Sequence, residues 1–366
     1  MEMVVDRAKK AIGALTSTAL WLVPLISSVF CNGQHPLVQV ADSGFVFTVP
    51  PTAACHASTI VHAGNDTMLV AWFGGQHEGA TDVAIWMARR VKNTWGKPLK
   101  VATGLQPNGQ SLPCWNPVLY KTRSGLLMLF YKVGTSPRSW WGMLQTSTNN
   151  GHTWSAPRKL PDGILGPIKN KPLQLSNGDL LCPSSTESED EKIWAIHVEA
   201  CDSTGQRWKK IPINCDSFGV IQPSVLQYPD GRLQLLSRSR QNRIIETWSA
   251  DEGKSWQPLK PTQLPNPNSG SDAVSLPGGY QLLVYNPLLS GKNWWEGRSV
   301  LRLAVSGDGT TWTDLFTFEN QNSGEYSYPA IIADPDGFIW VTYTWQRKQI
   351  KWFKLKLRNN TTQPGG

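Results

Sequence analysis

Ser249-Ala250-Asp251-Glu252-Gly253-Lys254-Ser255-Trp256 is a self-closing turn, and the chain writes it more than once. Ser147 to Trp154 (STNNGHTW) repeats the frame with Asn149 in place of the Asp. Ser306 to Trp312 (SGDGTTW) is one residue shorter, Cys201 to Trp208 (CDSTGQRW) keeps only the Gly and the Trp, and Trp95 ends a still weaker copy. An Asp or Asn at this place accepts backbone N–H groups two residues on, Gly supplies positive φ, and the Trp folds back as an apolar plug. The tryptophans at 95, 154, 208, 256 and 312 lie 59, 54, 48 and 56 residues apart. A period of this size with strand-rich sequence between the turns is the mark of propeller blades.

Working outward, the β-rich runs are Thr67 to Phe73, Val83 to Ala88, Gly125 to Val133, Arg232 to Leu236, Tyr280 to Tyr285 and Phe338 to Tyr343. Turn dipeptides bound them: Asn177-Gly178, Asp230-Gly231, Gly278-Gly279 and Asp336-Gly337. From Gln34 onward no segment sustains a 3.6-residue apolar period, so an all-β fold is expected. The units approximate 45–95, 112–154, 166–208, 218–256, 268–312 and 324–356, which predicts a six-bladed β-propeller. The sixth unit lacks the turn, and the N-terminal segment is expected to complete it. The expected organisation is a leader over 1–33, the propeller over 34–358, and a polar tail over 359–366.

The leader reading rests on Arg7, Lys9 and Lys10 ahead of the apolar run Ala11 to Cys31, a pattern of either a cleaved signal peptide or a retained signal anchor. Both place the body in the secretory pathway, extracellular or lumenal, with membrane contact only if the segment is retained. Sequons at Asn65, Asn359 and Asn360 suit that compartment. Six cysteines are too few for a disulfide scaffold, and with no CxxC or His/Cys cluster neither a metal site nor a cofactor is expected. The net charge of +8 is scattered without a basic block, which favours an anionic glycan over nucleic acid as partner.

Three segments carry the candidate chemistry. Pro229 to Arg238 (PDGRLQLLSR) ends a strand pair ahead of the turn at 249–256, Arg298 to Ser306 (RSVLRLAVS) runs into the turn at 306–312, and Glu325-Tyr326-Ser327-Tyr328-Pro329 precedes Asp336-Gly337. With the repeated turn, these segments resemble the sialidase superfamily, in its BNR or Asp-box-repeat branch, over nearly all of residues 45–356. The resemblance implies a glycoside hydrolase whose arginines clamp a sugar carboxylate bidentately, with a Tyr nucleophile and an acid/base on a mobile loop. It assigns the clamp to Arg238 and Arg298, with Arg302 as fallback, and the nucleophile to Tyr326. Glu78 and Asp82 both fit the acid/base, on the Gly-flanked loop Phe73 to Val83.

Two positions depart from that pattern. Where the first clamp arginine belongs, the chain reads Ala54-Cys55-His56-Ala57-Ser58-Thr59, leaving His56, Lys169 or Lys171 to meet the anion. Where the Glu that assists the tyrosine belongs it has Gln222, with Glu325 or Glu246 as substitutes. Trp115 and Asn116, Trp140-Trp141, Trp294-Trp295, and Asn266, Asn268 and Asp272 stand at blade mouths, where sugars stack or bond. The implied function is an exo-hydrolase releasing an acidic sugar other than ordinary sialic acid. The alternative is a carbohydrate-binding propeller without turnover.

Overall fold

The structure, a computed structural model, describes residues 36–293 and 295–358. The expected leader, the tail with its sequons at Asn359 and Asn360, Cys31 and Trp294 lie outside the described residues. What is described is all-β: six antiparallel sheets arranged as the blades of a propeller. The innermost strands, in blade order, are Ala54–Gly64, Cys114–Lys121, Leu173–Gln174, Val220–Gln227, Asp272–Ser275 and Tyr326–Ala333. The second strand of each blade lies between neighbouring blades and is buried on both faces, which explains continuous apolar runs such as Thr67–Gly75 and Leu127–Val133. The ring closes as expected: Leu37–Phe45 pairs antiparallel with Gln349–Arg358 and becomes the outer strand of blade six.

The repeated turn joins the third strand to the fourth in blades two to five. Each blade therefore runs past its Trp: blade four, expected to stop at 256, continues through Lys260–Pro265. Asp251 accepts the Ser255 amide at 2.9 Å and the Ser255 hydroxyl at 2.6 Å, and Ser249 Oγ accepts the Gly253 amide at 2.9 Å. The blade-three copy is more complete than the sequence reading allowed, because Asp202 accepts the amides of Thr204, Gln206 and Arg207. Each turn also clasps the preceding blade. A Cβ on Gly151, Gly205, Gly253 or Gly309 would lie within 2.8 Å of Leu69, Leu144, Leu181 or Tyr228 respectively, a side chain of the blade before it. Only glycine fits there, because φ is positive at all four positions as well.

At the axis, inner strands carry a shared irregularity. Register shifts occur between His56 and Thr59, Trp115 and Val118, Ile221 and Ser224, and Ser327 and Ala330. Inside these bulges Ala57, Asn116, Gln222 and Tyr328 adopt positive φ. A bulge re-aims the side chain it carries. Lysines then tie blade three across the axis to blades five and six. Lys171 Nζ meets the Asp272 carboxylate at 2.9 and 3.0 Å, and Asp272 also accepts the Ile331 amide. Lys169 Nζ donates to Asn170 Oδ1, Ser271 O and Pro329 O. The segment that carries these lysines is held in turn by the buried Glu199, which accepts the Leu165 and Gly166 amides, and by Lys132 Nζ on Pro167 O.

Candidate active site

Above this floor, Tyr328 stands at the centre. Its phenol oxygen accepts from Arg238 Nη1 at 2.5 Å, and its ring lies 4.1 Å from that of His56. The Arg238 and Arg298 guanidinium carbons lie 5.7 and 6.0 Å from the ring centre, and Lys169 Nζ lies at 5.7 Å. Negative charge developing on the phenol oxygen would be stabilised here by several buried cations. Asn268, at positive φ, joins the arginines: its side-chain oxygen accepts from Arg238 Nε at 2.8 Å and its carbonyl from Arg298 Nη2 at 3.2 Å. Gln222 Oε1 accepts from Arg238 Nη1 at 3.2 Å.

Tyr326, the expected nucleophile, lies elsewhere. It packs in the apolar layer shared by blades five and six, and its hydroxyl accepts from Gln346 Nε2 at 3.0 Å. Tyr326 and Tyr328 are two residues apart and would share a face on a regular strand. The bulge between Ser327 and Ala330 breaks that parity and brings Tyr328 to the arginines.

Glu325 is in the site but on the arginines rather than on the phenol. It accepts from Arg298 Nη1 at 2.9 Å, Arg347 Nε at 2.7 Å and Ser327 Oγ at 2.8 Å. Burial pushes its carboxyl up, yet Arg347 and Arg298 outweigh this and hold it below the usual range. Arg347 was not legible as a site residue. It sits in the hairpin turn between the second and third strands of blade six, and its carbonyl accepts the Cys55 amide at 2.8 Å. A third guanidinium is thereby placed beside His56, where blade one lacks the arginine. Arg347 Nη1 also pairs with Glu78.

Glu78 and Asp82, interchangeable in sequence, separate in space. Glu78 lines a cavity of about 370 Å³ with His56, Phe73, Gly74, Gly75 and Arg347. Both Asp82 oxygens accept the Gln76 amide, so Asp82 shapes the loop that carries Glu78. His56 is 2% exposed, and neither ring nitrogen has a partner among the described residues. Burial, then the surrounding Arg347, Arg298, Lys169 and Arg238, push its pKa well below the usual imidazole range, so it is neutral.

Other expected site residues serve the scaffold. Lys171 and Asp272 form the axial tie, and Trp115 donates to Gly134 O at 2.8 Å and packs under Gly79 of the Glu78 loop. Asn116 is buried in the blade-two bulge, and Asn266 closes its own loop on Ser269. Arg302 pairs with Asp314 at 2.6 Å on the outer strands, and Glu246 bonds Gln234 in blade four, so neither fallback reaches Tyr328. Lys169 does: burial above all pushes its pKa down to about 7, against the pull of Asp272.

Residues 66–341 match the family of BNR repeat-like domains. The chain belongs to that family. A curated relative, the anhydrosialidase of Macrobdella decora, is 25% identical over 230 residues, which is 56% of this chain and 29% of that protein. The chain thus spans under a third of this relative's length. Among solved structures, a protein of unknown function from Dyadobacter fermentans superposes with a TM-score of 0.71 at 16% identity, covering 88% of this chain and 99% of that one. The NanB sialidase of Streptococcus pneumoniae gives 0.67 at 13% identity over 86% of this chain and 70% of its own. These superpositions share the propeller. Arg238, Arg298 and Tyr328 fall inside the family span, whereas His56 and Arg347 lie outside it.

Proposed function

We propose that this protein is an exo-acting glycoside hydrolase of the sialidase type that releases a terminal sugar bearing a carboxylate. One observation carries the reading: a tyrosine hydroxyl bonded to a buried arginine, with a second buried arginine against its ring. In this reading Arg238 and Arg298 hold the sugar carboxylate, and Arg347 supplies the cation that blade one lacks. Tyr328 Oη attacks the anomeric carbon as the glycosidic C–O bond breaks. Arg238 stabilises the oxygen as its proton passes to water, since Gln222 cannot take it. Glu78 protonates the leaving oxygen, and water, activated by the same carboxylate, then cleaves the glycosyl–tyrosine bond. His56 in place of an arginine and Gln222 in place of a carboxylate favour an acidic sugar other than ordinary sialic acid. The leader pattern at 1–33 supports action in the secretory pathway.

A second reading, sugar binding without turnover, is favoured by Gln222, whose side-chain amide bonds the same Arg238 nitrogen as the phenol and cannot act as a base. Incubation with sialyl, ulosonyl and uronyl glycosides decides between them. The expected result is release by the parent protein that falls about a thousandfold or more in Tyr328→Phe and persists in Tyr326→Phe. Full-rate release by Tyr328→Phe overturns the mechanism, and saturable binding with no release establishes the second reading.

A further inference from the structure

Glu187 and Arg238 stand near the same end of the second strands of neighbouring blades, Leu180–Glu187 and Leu233–Ser239, two residues apart in the blade frame. Glu187 pairs across its hairpin with Trp194, and the Arg238 guanidinium carbon lies 5.6 Å from the Trp194 ring. On the other side of Glu187 a groove of about 240 Å³ opens between blades two and three, lined by Arg138, Trp140, Trp141, Lys159, Glu187 and Lys210 among others. Trp141 begins the third strand of blade two, and Lys159 ends its fourth. Antiparallel order puts both at the same end of the blades as Arg238. Groove and axial site therefore open on one face with Glu187 between them. An aromatic run connects them as well: His56 to Phe73 at 5.6 Å, Phe73 to Trp115 at 6.0 Å, and Trp115 to Trp140 at 5.9 Å.

We propose that this groove is the leaving-group subsite, holding the sugar ring next to the acidic residue in the same glycan. The proposal rests on the functional reading above. Trp141 is half-buried, with Lys159 Nζ 5.8 Å from its ring centre, and offers an indole for a pyranose to stack on. Trp140 Nε1 is buried with no acceptor among the described residues, and a hydroxyl of that ring would supply one. Glu187 offers a carboxyl to a further hydroxyl. Burial pushes this carboxyl up, against Arg238, Arg138 and Arg240, so the wall shared with the clamp is electrically coupled to it.

Two pairs of probes, each differing only in the second ring, test this: the methyl glycoside of N-acetylneuraminic acid against that of the disaccharide sialylgalactose, and methyl galacturonoside against methyl digalacturonoside. The oligosaccharide of the recognised pair should bind the parent about tenfold more tightly, one good stacking contact, and Trp141→Ala should erase that advantage while leaving the methyl glycoside unchanged. Glu187→Gln should reduce it in the same direction. Equal binding of both probes by the parent, or equal loss of both in Trp141→Ala, overturns the subsite. Arg238→Ala separates the two readings. If it weakens neither probe, the carboxylate-clamp reading fails, and the Trp141→Ala comparison still decides whether the groove binds the second ring.

Discussion

At the residue scale the site is a cluster of cations around one phenol, and its pH response follows from which of them titrates. Lys169 Nζ has three acceptors that suit an ammonium, yet burial brings its pKa to about 7. An acidic sugar beside it interacts more strongly with the protonated form. Its affinity should therefore fall as pH rises from about 6 to about 8.5, and Lys169→Met should flatten the profile in a fluorescence titration. His56 is neutral throughout that window, so His56→Gln should leave the slope in place; loss of the slope there would move the titration to the imidazole. Arg238 and Arg298 were legible because each stands at a fixed place before a recognisable turn. Tyr328 was not, although Asn116-Pro117, Gln222-Pro223 and Tyr328-Pro329 put the residue before a proline into the same bulged slot in three blades. That recurrence was the available signal. Arg347 had none, since nothing in a hairpin turn of blade six points to blade one.

At the element scale the repeated turn is a clasp between blades rather than a part of the chemistry. Donors from the preceding blade reach it: Arg89 to Asn150 O, Arg158 to Gly205 O, and Gln234 to Gly309 O, each at 2.8 Å. The bonds from Ser255 and Ser249 bring the Asp251 pKa down to about 2. A depressed carboxyl stabilises the fold above its unfolded value of about 4, and that contribution is lost as pH falls toward 2. Asp251→Ala should cost roughly 1–2 kcal/mol in denaturant unfolding at neutral pH, the worth of two or three hydrogen bonds, and should leave sugar binding intact. A loss of binding without a loss of stability would instead tie the turn to the site. Sequence exposed these turns well because their bonds close within eight residues. It undervalued Asp202, whose turn has Cys201 where the others have Ser, although the aspartate alone makes three amide bonds.

At the scale of the whole molecule the ring depends on one non-local closure. Leu37–Phe45 covers the edge of Gln349–Arg358, and Asp42 on it pairs with the buried Arg90 of blade one at 2.8 Å. The Arg90 guanidinium carbon lies 5.1 and 4.7 Å from the rings of Trp340 and Trp352. Removing residues 1–45 should expose that edge and lower the thermal midpoint, with self-association visible by light scattering; an unchanged midpoint would mean that five complete blades hold the ring alone. Turn chemistry and the burial of a strand on both faces are properties of short segments, so the sequence by itself determined the all-β class, the blade count and the blade frame. The site is different in kind. It is assembled from the ends of strands in separate blades, and Arg347 meets Glu78 across 269 residues of chain. Only the closed ring decides that Tyr328 rather than Tyr326 faces the arginines, that Arg347 stands beside His56, and that Glu78 rather than Asp82 lines the cavity, because local bulges and long-range ring closure together set where those side chains point.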